Sequence, residues 1–246
     1  MLSANGIRAI LFDLDGTLRY NRPSFPETFF NIASRLGAPD VQEYRWRAAR
    51  WLHYYWANSN ELVSDLAIYP DQTEAFWTNH ARLFLGALGC APEQAAALAP
   101  QAYQHMNEEY KPQDCVPADV PETLQALKEA GYTLAVLSNR LQPFQEQLER
   151  LGLSGYFDFA LHAGKLEAWK PDPEIFLRAI VQIGSQPEET AYVGDNYYAD
   201  VIGSRNAGLI PVLIDPEALF PEAECAVIHK MGDLPEILTH HKDTKR

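Results

Sequence analysis

Two aspartates stand one residue apart where an apolar run near the start of the chain ends. Residues 10–18 read Ile-Leu-Phe-Asp-Leu-Asp-Gly-Thr-Leu, so Asp13 and Asp15 directly precede Gly16. The apolar run is short, adjoins a turn signal and has no helical period, which predicts a buried strand. Buried carboxylates cost free energy unless they are paired or bind a metal. Their placement therefore indicates chemistry at the end of this strand.

Further polar residues follow later apolar runs. In an open parallel sheet, ligands bind beyond the carboxyl ends of the strands, so residues that follow each run are candidates for one site. These candidates are Ser138 and Asn139 after the run 133–137, Lys170 in the segment Trp-Lys-Pro-Asp-Pro, and Asp195 and Asp200 after the run that ends at Val193.

The elements that must position these residues alternate between strands and helices. A helix is predicted over 121–130, with Pro121 inside its start and Gly131 past its end, and another over 174–183 after the cap Asp172. Asp200 can open a third helix that ends at Gly208. The predicted strands are 10–12, 133–137, 157–161, 190–193 and 209–214. This alternation predicts an α/β fold, a parallel sheet with helices on both faces.

Residues 20–110 have a different composition. They are rich in Ala, Leu, Glu, Gln and aromatic residues and contain few β-branched runs. We expect four or five helices and no strand there, as a domain inserted after the first strand. The predicted core is then 1–19 with 111–246, and the predicted hinges are 19–26 and 110–117.

In order and spacing, the carboxylate pair, the hydroxyl, the lysine and the acidic pair resemble the four motifs of the haloacid dehalogenase-like hydrolase superfamily. The specific part of the match is Lys-Pro-Asp-Pro at 170–173 followed by Gly-Asp-x-x-x-x-Asp at 194–200. The resemblance covers the whole α/β part. It implies a Rossmann-like core, and it identifies the helical block as a cap domain that closes over the site and selects the substrate.

The resemblance also implies residue roles. Asp13 would be the nucleophile that forms an aspartyl-phosphate. Mg²⁺ would be held by the side chains of Asp13 and Asp195 and by the backbone carbonyl of Asp15. The carboxyl of Asp15 would then be free to protonate the leaving oxygen and later to activate water.

The remaining candidates would bind the substrate or support the catalytic and metal-binding residues. Lys170 would offset the clustered negative charge, and Ser138 would donate to the phosphoryl oxygens. Gly16 would permit a tight turn that exposes amides to the phosphate. Asn139 and Thr17 complete the predicted substrate-binding set, and Asp200, which would orient Lys170 or a metal-bound water, and Asn196 complete the supporting set.

Several functions remain open at this point. Dehalogenases of this fold lack an acid at the position of Asp15 because halide leaves unprotonated, and sugar phosphomutases more often carry valine at the position of Thr17. A non-catalytic interaction protein would keep a costly carboxylate cluster without using it. We therefore predict a Mg²⁺-dependent phosphatase that acts on a small phosphorylated metabolite.

Net charge and cysteine content bear on the classes of partner and on the location of the protein. The net charge of −13 disfavours nucleic acid and anionic membranes. The three cysteines are widely spaced, and we expect neither a signal peptide nor a membrane span at the N-terminus, so the expected location is the cytoplasm. The sequence does not identify the substrate or the oligomeric state.

The segment Arg45–Trp56 is rich in arginine and aromatic residues. On a helix, Trp46, Arg50 and Tyr54 share one face, and Trp51 and Tyr55 form an adjacent stripe. The segment either lines a pocket or forms the core of the cap, and we favour the core. Three arginines in loops next to the motifs, Arg19, Arg22 and Arg140, are expected at the surface.

Overall fold

A computed structural model describes residues 6–240. The chain packs as two compact units. One unit contains the described residues up to Tyr20 together with those from Asp114 onward, and the other is Asn21–Gln113. The two boundaries fall inside the segments predicted as hinges.

The first unit is built on a six-stranded sheet in the order β5-β4-β1-β6-β7-β8, in which every neighbouring pair is parallel. A separate two-stranded sheet joins β2 to β3. The strands are β1 (Ala9–Phe12), β2 (Tyr20–Arg22), β3 (Gln113–Cys115), β4 (Thr133–Ser138), β5 (Phe159–His162), β6 (Thr190–Gly194), β7 (Ile210–Ile214) and β8 (Ala226–Ile228).

Helices make up most of the remaining ordered structure. Those of the second unit are α1 (Phe25–Arg35), α2 (Gln42–Trp56), α3 (Asn60–Ile68), α4 (Glu74–Ala87) and α5 (Pro92–Glu109). Those of the first unit are α6 (Val120–Glu129), α7 (Gln145–Arg150), α8 (Ala163–Leu166), α9 (Pro173–Ile183), α10 (Gly203–Asn206) and α11 (Leu234–His240), with a π-helical segment at Tyr197–Ile202. Along the described chain, none of these helices has the length and apolar character that crossing a bilayer requires.

The central strand shows why the sheet is covered on both sides. Side chains alternate between the two faces of a strand. Ile10 and Phe12 of β1 pack in one core cluster with residues of α6, whereas Leu11 packs in another with Phe176 of α9. All four residues of β1 are buried, as expected for a parallel strand between two helical layers.

The predicted fold class is confirmed, with local differences. β5 begins two residues later than predicted and β8 was not predicted. Both are short strands with half-exposed residues, so their apolar signal is weak. The prediction that 20–110 contains no strand is wrong at its first residues, because Tyr20–Arg22 forms β2.

The helix that was predicted to open at Asp200 begins earlier. Asn196 caps it, since its side-chain oxygen accepts hydrogen bonds from the backbone N–H groups of Tyr198 and Ala199. Asp200 therefore lies inside the π-helical segment rather than at its cap, and its side chain is available for other partners.

The segment Arg45–Trp56 lies within α2, and the two stripes differ in burial. Tyr55 is completely buried and packs with Trp51, as the core interpretation predicts. Half of Trp46 is exposed and Tyr54 is also exposed, so the core interpretation is wrong for that stripe.

His80 of α4 sits inside an aromatic cluster of the second unit. Its ring lies within 6 Å of the ring centroids of Phe25, Trp51, Tyr55, Trp56 and Trp77. It is 1% exposed, and within residues 6–240 its Nε2 has no hydrogen-bond partner. Burial lowers the pKa of His80 to about 4.

This burial predicts acid sensitivity of the second unit. The unfolded chain takes up a proton on His80 near pH 6.5 whereas the folded chain does so near 4, so stability falls as pH falls from about 6.5 to 4. The full shift corresponds to about 3 kcal/mol. We expect His80→Phe, measured by urea unfolding at pH 7 and pH 4.5, to lose less stability on acidification than the wild type. An equal loss in both proteins would show that His80 is not the responsible group.

Candidate active site

The three central strands bring the predicted residues to one edge of the sheet. β1 pairs with β4 on one side and with β6 on the other, and Phe12 is in register with both Val136 and Val193. Asp13 directly follows β1, and it is buried. The neighbouring strands end at the buried Ser138 and at Gly194, which precedes Asp195.

Lys170 is the buried cation of the site. Its Nζ donates to Asp13 Oδ1 at 2.6 Å, to Asp200 Oδ1 at 2.7 Å and to the Tyr192 hydroxyl at 3.0 Å. These three bonds use all three ammonium protons. Burial lowers the pKa of Lys170, but Asp13 and Asp200 raise it by more, so the pKa lies well above its ordinary value and the lysine is charged.

Asn139 positions this lysine through the main chain. Its side-chain Nδ2 donates to the carbonyl of Lys170 at 3.0 Å, and its Oδ1 accepts from the backbone N–H of Lys170 at 2.7 Å. Both ends of the amide are therefore engaged by one residue. Asn139 was predicted to bind substrate, and its side chain instead connects the end of β4 to the lysine segment.

Three carboxylates gather next to Lys170. Oxygen atoms of Asp13, Asp195 and Asp200 all lie within 4.8 Å of one another. Burial first, and then the charges of Asp200 and Asp15, raise the pKa of Asp13 to about 7 against the lowering effect of Lys170. Burial, Asp13 and Asp200 likewise raise the pKa of Asp195 well above its ordinary value. One lysine therefore does not neutralise this cluster.

The donor set fits a hard divalent cation. Carboxylate oxygens are the ligands that Mg²⁺ takes in proteins, usually one or two with the rest supplied by water and substrate. Asp200 is the least available of the three, because its Oδ1 accepts from Lys170 and its Oδ2 from the backbone N–H of Asn196 at 2.9 Å. Asp13 and Asp195 are therefore the better candidates for side-chain ligands.

Two glycines permit the close approach of these carboxylates. Gly16 has φ +93°, and a Cβ atom there would lie 2.4 Å from Oδ2 of Asp195. A Cβ atom on Gly194 would lie 2.3 Å from Oδ2 of Asp200. Within this turn, the N–H of Gly16 itself donates to the carbonyl of Arg19 at 2.7 Å.

The other predicted residues take more local roles. Thr17 is buried, and its hydroxyl donates to Asp195 Oδ1 at 3.3 Å, so it contacts a candidate metal ligand. Ser138 Oγ accepts from the backbone N–H of Arg140 at 3.4 Å. Asn196 is the helix cap described above. Asp200 contacts Lys170, as predicted for a supporting residue.

Asp15 is held by two arginines. Arg140 donates through Nε to Oδ2 at 2.8 Å and through Nη2 to Oδ1 at 2.7 Å, and Arg19 Nε donates to Oδ1 at 2.8 Å. Burial alone raises the pKa of Asp15, but the two guanidinium groups outweigh it and lower the pKa below its ordinary value. The expectation of a free carboxyl group does not hold in this conformation.

Arg19, Arg22 and Arg140 were all expected at the surface, and for Arg19 and Arg140 that expectation is wrong. Arg19 is 8% exposed and Arg140 is half-buried, whereas Arg22 is exposed. Sequence reasoning also missed Tyr192, whose hydroxyl accepts from Lys170 and donates to the carbonyl of Leu137 at 3.1 Å. A polar atom on a fully buried strand residue was the available signal, since such an atom needs a partner.

The family of the chain follows from comparison with known proteins. Residues 7–208 match the model of the haloacid dehalogenase-like hydrolase family. The chain belongs to this family. It is an enzyme, a hydrolase, and the predicted resemblance is confirmed.

Named relatives include two phosphatases. The chain is 32% identical to a glyceraldehyde 3-phosphate phosphatase of Methanopyrus kandleri over 85% of this chain and 84% of that protein. It is 30% identical to a phosphoserine phosphatase of Thermus thermophilus over 94% and 98%. It is also 29% identical to the (S)-2-haloacid dehalogenase 4A of Burkholderia cepacia over 95% and 94%.

A solved structure shows the same fold. A HAD phosphatase from Thermococcus onnurineus superimposes with a TM-score of 0.55 at 25% identity, covering 96% of this chain and all of the other. The similarity extends over both units of the chain.

The ion-pair network predicts a large effect of removing Lys170. Lys170→Met keeps a similar volume but leaves the carboxylates of Asp13 and Asp200 buried without their cation, a change that costs about 3–5 kcal/mol. We expect urea unfolding to show this loss. Asp200→Asn in the same background should recover part of the loss because one uncompensated charge is removed.

The matched control is Lys165→Met, because the lysine it replaces is exposed. We expect that variant to change stability by less than about 0.5 kcal/mol. A Lys170→Met protein as stable as the control would show that the buried ion pairs do not stabilise the fold.

Proposed function

We propose that the protein is a Mg²⁺-dependent phosphatase that hydrolyses a small phosphomonoester through an aspartyl-phosphate on Asp13. The observation that carries the proposal is the position of the buried Asp13 at the carboxyl end of β1. Its Oδ1 lies 2.6 Å from Nζ of a charged lysine, and two further carboxylates lie next to it. The phosphatases among the relatives support the same reaction class.

Asp13 is the proposed nucleophile. Lys170 holds its Oδ1, which leaves Oδ2 as the oxygen that attacks phosphorus. The P–O bond to the leaving alcohol then breaks, and a new P–O bond joins the phosphoryl group to Asp13. A positioned lysine fixes the carboxylate and partly offsets the charge of the incoming ester.

Mg²⁺ is the proposed cofactor, held by the side chains of Asp13 and Asp195 and by the backbone carbonyl of Asp15. When bound, it neutralises negative charge on the phosphoryl oxygens and the carboxylates. Lys170, which also binds Asp200, holds Asp13 in place, and Thr17 contacts Asp195. In this proposal the hydroxyl of Ser138 donates to a phosphoryl oxygen.

Asp15 is the proposed proton carrier. Its carboxyl gives a proton to the leaving alkoxide and, as carboxylate, takes one from the water that attacks the aspartyl-phosphate. An alkoxide needs this proton whereas a halide ion does not, so an acid here favours phosphate ester hydrolysis over dehalogenation. Because the arginines stabilise the ionised form, Asp15 has to leave them before it can act as an acid.

The second unit, Asn21–Gln113, is the proposed cap that selects the substrate. We also propose that the protein acts in the cytoplasm, which the three free cysteines at positions 90, 115 and 225 support. Its partner is a small phosphorylated metabolite rather than nucleic acid, in keeping with a net charge of −13.

The nucleophile can be tested by substitution. Asp13→Asn should lower the turnover of p-nitrophenyl phosphate with Mg²⁺ by at least about 1,000-fold, because the amide cannot form the acyl phosphate. The variant should stay folded, since the change removes one charge from a crowded carboxylate cluster. Asp71→Asn, at an exposed aspartate, is the control and should retain full activity.

The same assay separates the alternatives. If Asp13→Asn hydrolyses the aryl phosphate at the wild-type rate, Asp13 is not the nucleophile. Release of chloride from 2-chloropropionate without added Mg²⁺, together with no phosphate release, would favour a dehalogenase. No activity on either ester or haloacid would favour an interaction protein.

Metal binding predicts a thermal shift. Mg²⁺ relieves repulsion among Asp13, Asp195 and Asp200, so it should raise Tm by about 5 °C when present at 100 times its Kd. Differential scanning fluorimetry with millimolar MgCl₂ measures this shift, and Asp195→Asn should abolish most of it. An unchanged Tm in the wild type would contradict the proposed cofactor.

A further inference from the structure

Five side chains, one of which is Asp15, form a closed ring of hydrogen bonds. Arg140 binds both oxygens of Asp15 and donates through Nη1 to the side-chain oxygen of Gln147. Gln147 Nε2 donates to Asp114 Oδ2 at 2.7 Å, and Arg19 Nη1 donates to Asp114 Oδ1 at 3.0 Å. Arg19 closes the ring by its bond to Asp15. All five residues belong to the first unit.

The ring is balanced in charge only while Asp15 belongs to it. It contains two guanidinium groups, two carboxylates and one neutral amide. Without Asp15, Arg19 keeps Asp114 as its carboxylate partner, whereas the side-chain acceptor that Arg140 keeps is the neutral amide of Gln147. A half-buried guanidinium that loses its carboxylate is costly. Movement of Asp15 alone is therefore unfavourable.

The proposed reaction nevertheless requires that movement. Asp15 must exchange protons with the leaving oxygen and with water, and in the ring both of its oxygens accept from cations. A second anion that takes over the guanidinium would remove the cost of releasing Asp15. The substrate can supply this anion, because it binds immediately before the step that needs Asp15.

We propose that Arg140 is a substrate-binding residue: a carboxylate on the leaving alcohol of the substrate replaces the carboxylate of Asp15 on its guanidinium and so releases Asp15 for proton transfer. This inference rests on the proposed function. The position now occupied by Asp15 is a planar, two-bond site, which another carboxylate matches in shape and charge. The substrate class is a phosphomonoester whose alcohol also bears a carboxylate.

The test compares esters that differ in that group. Steady-state kinetics with Mg²⁺ are measured for 2-phosphoglycolate against 2-hydroxyethyl phosphate, and for O-phospho-L-serine against O-phosphoethanolamine. The proteins are the wild type, Arg140→Gln, Arg140→Lys and the control Arg8→Gln, whose arginine is exposed and pairs with Glu189 at 3.6 Å. Turnover of p-nitrophenyl phosphate by the wild type checks the proposed function separately.

We expect the wild type to prefer the carboxylate ester in at least one pair by about tenfold or more in kcat/KM. Arg140→Gln should lose about 10- to 100-fold on that ester, mainly through KM, and much less on the paired ester that lacks the carboxylate, because only the former uses the guanidinium. Arg140→Lys should recover part of the loss, since lysine keeps the charge but not the two-bond geometry. Arg8→Gln should behave as the wild type.

Other results would overturn the inference. If the wild type hydrolyses the aryl phosphate but shows no preference in either pair, the substrate class is wrong while the phosphatase proposal stands. If Arg140→Gln lowers kcat/KM equally for both members of a pair, Arg140 has a structural role only. If the wild type hydrolyses none of the five esters, the phosphatase proposal fails and this inference fails with it.

Discussion

The contact between Lys170 and its two carboxylates is the interaction on which the site depends. One ammonium group joins the end of β1 through Asp13, the π-helical segment through Asp200 and the middle of β6 through Tyr192. Asn139 at the end of β4 holds the backbone of the same lysine. Three parts of the chain that are distant in sequence, at β1, at the end of β4 and from β6 to the π-helical segment, thus meet at one buried charge. The network depends most on the lysine, because its loss leaves two buried carboxylates without their cation.

Two aspartates that are nearly adjacent in sequence have opposite electrostatic environments. Burial and neighbouring carboxylates raise the pKa of Asp13, whereas two arginines lower that of Asp15. Side chains two residues apart share a strand's face only while the strand continues, and β1 ends at Phe12, before both aspartates. The two carboxylates therefore lie in different surroundings. Distinct roles for chemically identical groups follow from that separation.

Local patterns were sufficient where burial or backbone geometry decides the outcome. The strands β1, β4, β6 and β7 were predicted within one residue at either end because short apolar runs between turn signals have few alternatives. The helix α9 was predicted within one residue because Asp172 is a recognisable N-cap. Gly16 was identified as a turn residue, and it has the positive φ of +93° that such a turn uses. The helix after β6 was misplaced because Asn196 caps it, whereas the side chain of Asp200 accepts a hydrogen bond from Lys170.

The sequence by itself determined the order of the motifs, the parallel sheet and the family, because these depend on residue types at fixed spacings. Only the tertiary structure decided what each charged group contacts. Arg140 is 125 residues from Asp15 in sequence, and Gln147 is 33 residues from Asp114. No local period or cap signal reports such pairs, because an arginine before a loop has the same pattern whether it ends in water or on a carboxylate. Long flexible side chains are placed by charge and burial in three dimensions, so the ring around Asp15 became visible only once the chain had folded.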